Sequence, residues 1–322
     1  LIAEGVINIY KPEGLTSHDV VARVRRRLGI RRTGHTGTLD PMATGVLPVC
    51  FGRATRMIEY YDGDFKTYKA ELQLGGITDT LDSTGSFLEK RDFSQVTEAG
   101  LRDAVLSFEG EIRQVPPKYS ALKVNGKPLY EYARKGLDVD VEKKARNVFI
   151  KSISIDSVDM TRGKIVFKVT CSKGTYIRTI CGDIGEMLGC GAYMTALERT
   201  ESGFFNLENS VDLDAFMEMS EEDIEKIVIP VDQTLLNLGQ VRLNDRAMDN
   251  FQNGRPVNPE DMEVAGIVDF QKAGLYRAET LRNIVRVYDE KGCFAGTGRI
   301  ESGDTEGYQK GSLKAVKVFR YE

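Results

Sequence analysis

Asp40 is the only acid in the run Gly-His-Thr-Gly-Thr-Leu-Asp-Pro-Met-Ala-Thr-Gly-Val-Leu-Pro-Val at residues 34–49. Gly34, Gly37, Pro41, Gly45 and Pro48 shape the backbone around it. Glycine opens backbone conformations closed to other residues, and proline fixes its own φ. A carboxylate held in such a loop is suited to attack carbon or to take a proton. Loops on a rigid scaffold are where such groups concentrate. The plainer reading is a solvated turn aspartate before a proline.

Two tyrosines and an arginine accompany it. Tyr68 opens a stretch in which Tyr68, Ala70, Leu72 and Leu74 alternate with Lys69, Glu71 and Gln73. That is the period of a half-buried strand, with Tyr68 on its apolar side. Ile165, Phe167, Val169 and Cys171 mark a second strand; Gly174 then turns the chain into a helix with Thr175 as N-cap. Ile177, Ile180, Ile184 and Leu188 form its apolar face, and Gly189 stops it. Tyr176 and Arg178 fall in its first turn, off that face. An arginine there opposes the helix dipole and calls for an anionic partner.

Composition narrows the function classes. The chain has 322 residues, enough for about two domains. With 41% hydrophobic and 29% charged residues, it has the balance of a folded, soluble protein. No apolar run is long enough to span a membrane. The start, Leu-Ile-Ala-Glu-Gly-Val, shows no export signal, and a cytoplasmic location is expected. Five cysteines without a CxxC and two histidines assemble no zinc constellation, so no metal is expected. The net charge is −4, but its distribution is uneven. Residues 11–56 carry nine Lys/Arg against three Asp/Glu, and residues 113–146 carry nine against four. Local basic stripes, not the total, decide nucleic-acid binding; the plainer reading is solvated surface.

Gly5–Tyr10 reads as a strand ended by the Pro12/Gly14 turn. Ser17 is the expected N-cap of a helix whose apolar face is Val20, Val21, Val24 and Leu28, with Arg23, Arg26 and Arg27 largely off it. Residues 54–61 read as a short helix, and Thr97–Phe108 as another. Residues 116–146 are polar, basic and rich in Pro and Gly, an excursion with one short helix near residues 129–135. An acidic stretch, 208–225, leads to Ile229-Pro230-Val231-Asp232, the expected domain boundary. Ile284–Tyr288, Ala295–Ile300 and Leu313–Phe319 are strand-like, in a small β-rich tail.

The 34–49 run resembles the catalytic signature of the TruB-type tRNA pseudouridine synthases, GHxGxLDPxATGxLPV. Four further segments resemble the family in order: Lys11–Ser17, Tyr68, Val115–Lys123 and Cys171–Arg178. The resemblance is specific over about residues 5–205 and weaker beyond. It implies a mixed α/β (α+β) catalytic domain over 1–235, a mainly antiparallel sheet with flanking helices. A thumb insertion at 116–146 and a small C-terminal PUA-like β barrel at 240–322 would complete it. It implies Asp40 as the essential carboxylate and Arg178 as its partner. Tyr68 would stack on the base and take the C5 proton. His35, Arg56, Tyr176 and Leu197 fall at substrate-contacting positions, and Lys123 and Lys127 in the thumb would meet RNA. The implied activity is isomerisation of the T-loop uridine of tRNA, position 55, without guide RNA, cofactor or obligate protein partner. A guide-RNA-dependent synthase subunit is the nearest rival; Ala43–Pro48 and the 116–146 insertion fit the stand-alone branch. A non-catalytic RNA-folding chaperone is the rival from another class.

Overall fold

The computed structural model describes residues 3–137, 139–264, 281, 283–301 and 311–320. The chain begins with β1 (Gly5–Lys11), whose Val6, Ile7 and Ile9 are fully buried. The Pro12–Gly14 turn leads to α1 (Ser17–Leu28). Its cap is Thr16, one residue before the Ser17 expected. Thr16 Oγ1 accepts from the Asp19 amide at 3.1 Å, and the Asp19 carboxylate accepts from the Thr16 amide at 2.9 Å. This reciprocal box needs an acid three residues after the cap, which Thr16 has and Ser17 lacks.

The short β2 (Thr33–His35) pairs with β3 (Thr44–Phe51), and residues 36–43 form the loop between them. The short helix expected at 54–61 is a 3₁₀ helix, Gly52–Gly63. β4 (Lys66–Leu74) follows the anticipated alternation, and β5 (Gly76–Thr78) and β6 (Phe87–Lys90) make a small hairpin. Next come α2 (Glu98–Leu106), capped by Thr97, and β7 (Gly110–Gln114). Within the 116–146 excursion lie a two-residue-per-strand hairpin, β8 (Lys123–Val124) with β9 (Lys127–Pro128), and α3 (Leu129–Arg134). The core continues with β10 (Arg146–Asp159), β11 (Lys164–Cys171), α4 (Ile177–Met187) and β12 (Ala192–Ser202). The acidic stretch folds as β13 (Phe205–Asn206), β14 (Val211–Asp212), α5 (Leu213–Glu218) and α6 (Glu221–Ile227).

These strands form one sheet in the order β14-β1-β3-β12-β4-β11-β10-β7, with β2 beside β3 and β13 beside β12. The pairs are antiparallel except β1 with β14 and β3 with β12. The α+β reading with a mainly antiparallel sheet therefore stands. Apolar faces of α1, α2 and α4 meet the sheet in one core that includes Val24, Leu72, Leu101, Phe167 and Ile180.

The tail holds β15 (Gly239–Leu243), α7 (Asp245–Gln252), β16 (Met262–Val264), β17 (Ile284–Asp289), β18 (Phe294–Glu301) and β19 (Ser312–Val318). They make a five-stranded sheet, β16-β15-β17-β18-β19, with β15 and β17 parallel. Among the described residues this sheet is open, and no closed barrel is seen; residues 265–280 and 302–310 lie outside them. The tail does not hang free of the larger sheet. Val6, Val46, Met57, Tyr60, Val231, Ile284, Phe294 and Phe319 share a second buried apolar cluster. Tyr60 and Thr297 hydroxyls bond across it at 2.8 Å. Ile229, at the expected boundary, exchanges backbone bonds with Val6. Among the described residues, no helix is long and apolar enough to cross a membrane.

Candidate active site

The loop carrying Asp40 is pinned from three sides. Ser17, released from capping, is 2% exposed, and its Oγ accepts from the Leu39 amide at 2.8 Å and donates to the Leu39 carbonyl at 3.1 Å. Lys11 Nζ donates to the carbonyls of Pro12 and Pro41, at 2.9 and 3.1 Å. The Asp40 carbonyl closes a turn by accepting from the Ala43 amide at 3.0 Å. Gly45 has φ +101, and a Cβ there would stand 2.2 Å from the Arg199 carbonyl oxygen. Only glycine lets β3 approach β12 so closely, and β12 supplies the next part of the site.

Arg178 joins two carboxylates. Its Nε lies 3.0 Å from Asp40 Oδ2, and its Nη1 lies 3.2 Å from Asp82 Oδ2. Nη1 also donates to the Thr80 carbonyl, and Nη2 to that of Tyr119, each at 3.0 Å. Asp82 is in turn held by the Thr80 hydroxyl and by the amide and hydroxyl of Thr84, which donate to its Oδ1. The cost of an arginine at the start of α4 is thus offset by two anions. Burial raises the pKa of Asp40, and the Asp82 charge adds to that. Arg178 is the largest influence acting the other way, with Lys11 behind it. The guanidinium is therefore what favours the ionised form of this half-buried carboxylate.

Asp40 opens on a cavity of about 310 Å³, whose lining includes Tyr68, Tyr176, Leu197, Lys66, Arg146 and Arg199. Tyr68 is 8% exposed and directly opposite Arg199 across β4 and β12. Burial raises the Tyr68 pKa, and the Arg199 guanidinium beside it partly offsets the rise, so the group rests as a phenol at neutral pH. Tyr176 is the N-cap residue of α4, where Thr175 was expected. Thr175 Oγ1 instead donates to the Ser172 carbonyl at 2.9 Å. Gln114 holds the Tyr176 backbone from both sides, accepting from its amide at 2.7 Å and donating to its carbonyl at 3.0 Å. The Arg146 guanidinium lies over the Tyr176 ring, 5.1 Å from its centroid.

Other anticipated residues lie elsewhere. His35, on β2, has a buried Nδ1 without a hydrogen-bond partner, and its ring stands edge-on to His18 at 6.3 Å. Burial lowers its pKa to about 4, so it is neutral. Arg56 does not line the cavity; its Nη1 donates to the Val318 carbonyl at 2.9 Å and its guanidinium lies near the Phe319 ring. The 3₁₀ helix that carries it packs against the tail. Lys123 and Lys127 sit on the β8–β9 hairpin, exposed. The sequence does not single out Lys66, Asp82 or Arg199 as site residues, and it offers Lys11 only as the start of the Lys11–Ser17 segment. Lys66 had a usable signal, being two residues before Tyr68 on one strand face; Asp82 had none, because its role depends on a turn between distant strands.

A carboxylate clamped by arginine, a phenol and several buried cations around one cavity suit bond exchange on a ligand that carries or develops negative charge. Comparison with known proteins agrees. Residues 25–177 match the model of the TruB family pseudouridylate synthase N-terminal domain, and residues 178–236 that of the tRNA pseudouridylate synthase B C-terminal domain. The chain is 41% identical to tRNA pseudouridine synthase B of Clostridium tetani over 295 residues, 92% of this chain and 95% of that one. It is 46% identical to the enzyme of that name from Clostridioides difficile over 255 residues, 79% and 84% of the two chains. Among solved structures it resembles a chain of a Cbf5-Nop10-Gar1 complex, with TM-score 0.72 and 28% identity, covering 98% of this chain and 85% of that one. The chain belongs to the TruB family of tRNA pseudouridine synthases and is an isomerase of tRNA uridine.

Proposed function

We propose that this enzyme converts the T-loop uridine at tRNA position 55 to pseudouridine, without guide RNA or an obligate protein partner, using Asp40 as the essential carboxylate. The observation that carries the reading is the Asp40–Arg178 pair, 3.0 Å apart, at a cavity walled by Tyr68, Tyr176 and Leu197. The reaction breaks the N1–C1′ bond, turns the freed uracil and joins C5 to C1′. A proton leaves C5 and N1 gains one, so the change is redox-neutral. Asp40 attacks carbon or takes a proton, Arg178 favours its ionised form, and Tyr68 stacks on the base and relays the C5 proton, its hydroxyl passing its own proton to water as it takes the one from C5, or orders the water that receives it.

A uridine inside a folded loop must be turned out first, at a cost of a few kcal/mol that stacking and edge contacts recover. Basic residues of α1 and the 116–146 thumb, Lys123 and Lys127 among them, would meet phosphates. The tail over 240–322 would act as a PUA-like RNA-binding unit, and the enzyme would work in the cytoplasm. The test is tritium release from [5-³H]uridine in a T-stem-loop RNA with purified protein alone. Release from the T-loop uridine, and none from a uridine placed in the stem, is expected. No release without added guide RNA or protein would refute the stand-alone reading.

A further inference from the structure

Lys66 takes no part in the steps assigned to Asp40, Arg178 and Tyr68, yet its side chain lines the cavity. It is 6% exposed, lines the cavity and lies two residues before Tyr68 on β4. Alternate residues of a strand share one face, so Lys66 and Tyr68, on whose ring the base would stack, line the same cavity. Among the described residues its Nζ has one hydrogen bond, to the Asp64 carbonyl at 3.2 Å. An ammonium has three donors. Among the described residues Lys66 forms no ion pair, although the Asp64 carboxylate is near enough to favour its charge. The neighbouring Arg199 is 1% exposed and bonds the carbonyls of Val46 and Gly37 and the Tyr68 hydroxyl; among the described residues it too forms no ion pair with a carboxylate. The Cys171 thiol across the strand is pushed up to about 12 by burial and supplies no anion. Burial and Arg199 bring the Lys66 pKa down to about 8, which leaves it mostly charged at neutral pH. A buried cation short of partners is costly unless something else completes it.

We propose that Lys66 is a catalytic residue, whose ammonium hydrogen-bonds a carbonyl oxygen of the flipped uracil and stabilises the charge that develops there when the N1–C1′ bond breaks. This deepens the pseudouridylation reading and rests on it. As that bond breaks, its electron pair stays with the base and spreads over N1, O2 and O4. A donor already desolvated and aimed at such an oxygen acts in the transition state more than in the ground state. When C5 joins C1′, the charge returns to the ring and the ammonium is left as it began.

The test is single-turnover tritium release from a [5-³H]uridine T-stem-loop, with stem-loop affinity measured separately in the Asp40→Asn background at several salt concentrations. Lys66→Met should lower the rate by about 10²–10³-fold, as loss of one preorganised donor does. Its affinity should stay within about threefold, because the contact strengthens only as charge develops. Melting should be unchanged or higher, since methionine fills the same space without a buried charge. Lys66→Gln, which keeps a neutral donor, should recover part of the rate; it also decides the matter if the Met variant does not fold, a rate equal to that of the unsubstituted enzyme then overturning the proposal. A Met variant within about threefold of the normal rate overturns it. So does a loss of affinity that matches the loss of rate with a salt slope flattened by about 0.7, which would make Lys66 a phosphate contact. Absence of release by the unsubstituted enzyme would instead strike the parent reading.

Discussion

Asp40 is pulled two ways, and the balance makes its chemistry testable. Burial favours the neutral acid, and Arg178 is the strongest influence favouring the carboxylate. Arg178→Met should therefore raise the Asp40 pKa further. The acidic limb of kcat/KM against pH should move to higher pH, because more alkaline solution is then needed to ionise the free enzyme's carboxylate. An unmoved limb would mean that the pair does not control ionisation. Tyr68→Phe should keep RNA affinity while product formation falls severely, because stacking needs only the ring. Tyr68→Ala should also weaken binding, by about 1–3 kcal/mol if the ring stacks on a base. His35 gives a stability prediction. Its folded pKa of about 4 lies below the ordinary value of 6.5. The unfolded chain thus binds more protons between those values, and stability should fall as pH drops from about 6.5 towards 4. His35→Gln should flatten that part of the profile of urea midpoint against pH.

The elements place these groups through contacts that sequence pattern reaches only in part. The alternation of β4 and the apolar faces of α1 and α4 were legible, because burial imposes periods of two and of 3.6 residues. The caps were read one residue off in both helices. Thr16 and Ser17 are both competent caps, and the choice turns on which has an acid three residues later. The consequence is functional, since Ser17 then becomes a clasp on Leu39. Ser17→Ala leaves the Leu39 amide buried without that partner, a loss of about 1–3 kcal/mol. It should also slow turnover, because the Asp40 loop loses a support; Thr16→Ala should cost about 1 kcal/mol without that catalytic penalty. Equal effects of the two on turnover at matched stability would remove Ser17 from the positioning of Asp40. Arg56, expected at a substrate-contacting position, stands on the 3₁₀ helix against Val318 and Phe319 of the tail, a neighbour far along the chain that no local pattern announces. Asp82, Lys66 and Arg199 come from β4, β12 and a turn far apart in the chain, and no local pattern pairs them.

At the scale of the molecule, the tail is joined to the catalytic sheet by a shared apolar cluster. Removing 240–322 would uncover Met57, Tyr60 and Val231, so loss of activity on truncation would mix unfolding with loss of RNA contacts. Phe319→Ala is the cleaner probe of that junction. Its ring is fully buried, and the change should cost about 3–5 kcal/mol in melting or denaturant titration, with the active-site lining untouched. On the RNA-facing side, Lys123→Glu with Lys127→Glu should weaken tRNA binding without lowering stability. Each lost phosphate contact should flatten the dependence of log affinity on log salt by about 0.7–0.9. The central claim is that Asp40 carries the chemistry, and single-turnover tritium release by Asp40→Asn tests it most directly. The amide keeps the shape of the side chain but can neither attack nor take a proton, so the rate should fall by at least about 10³-fold, roughly 4 kcal/mol in the barrier, while stem-loop binding persists. A folded Asp40→Asn enzyme that releases tritium within about tenfold of the normal rate would contradict the account.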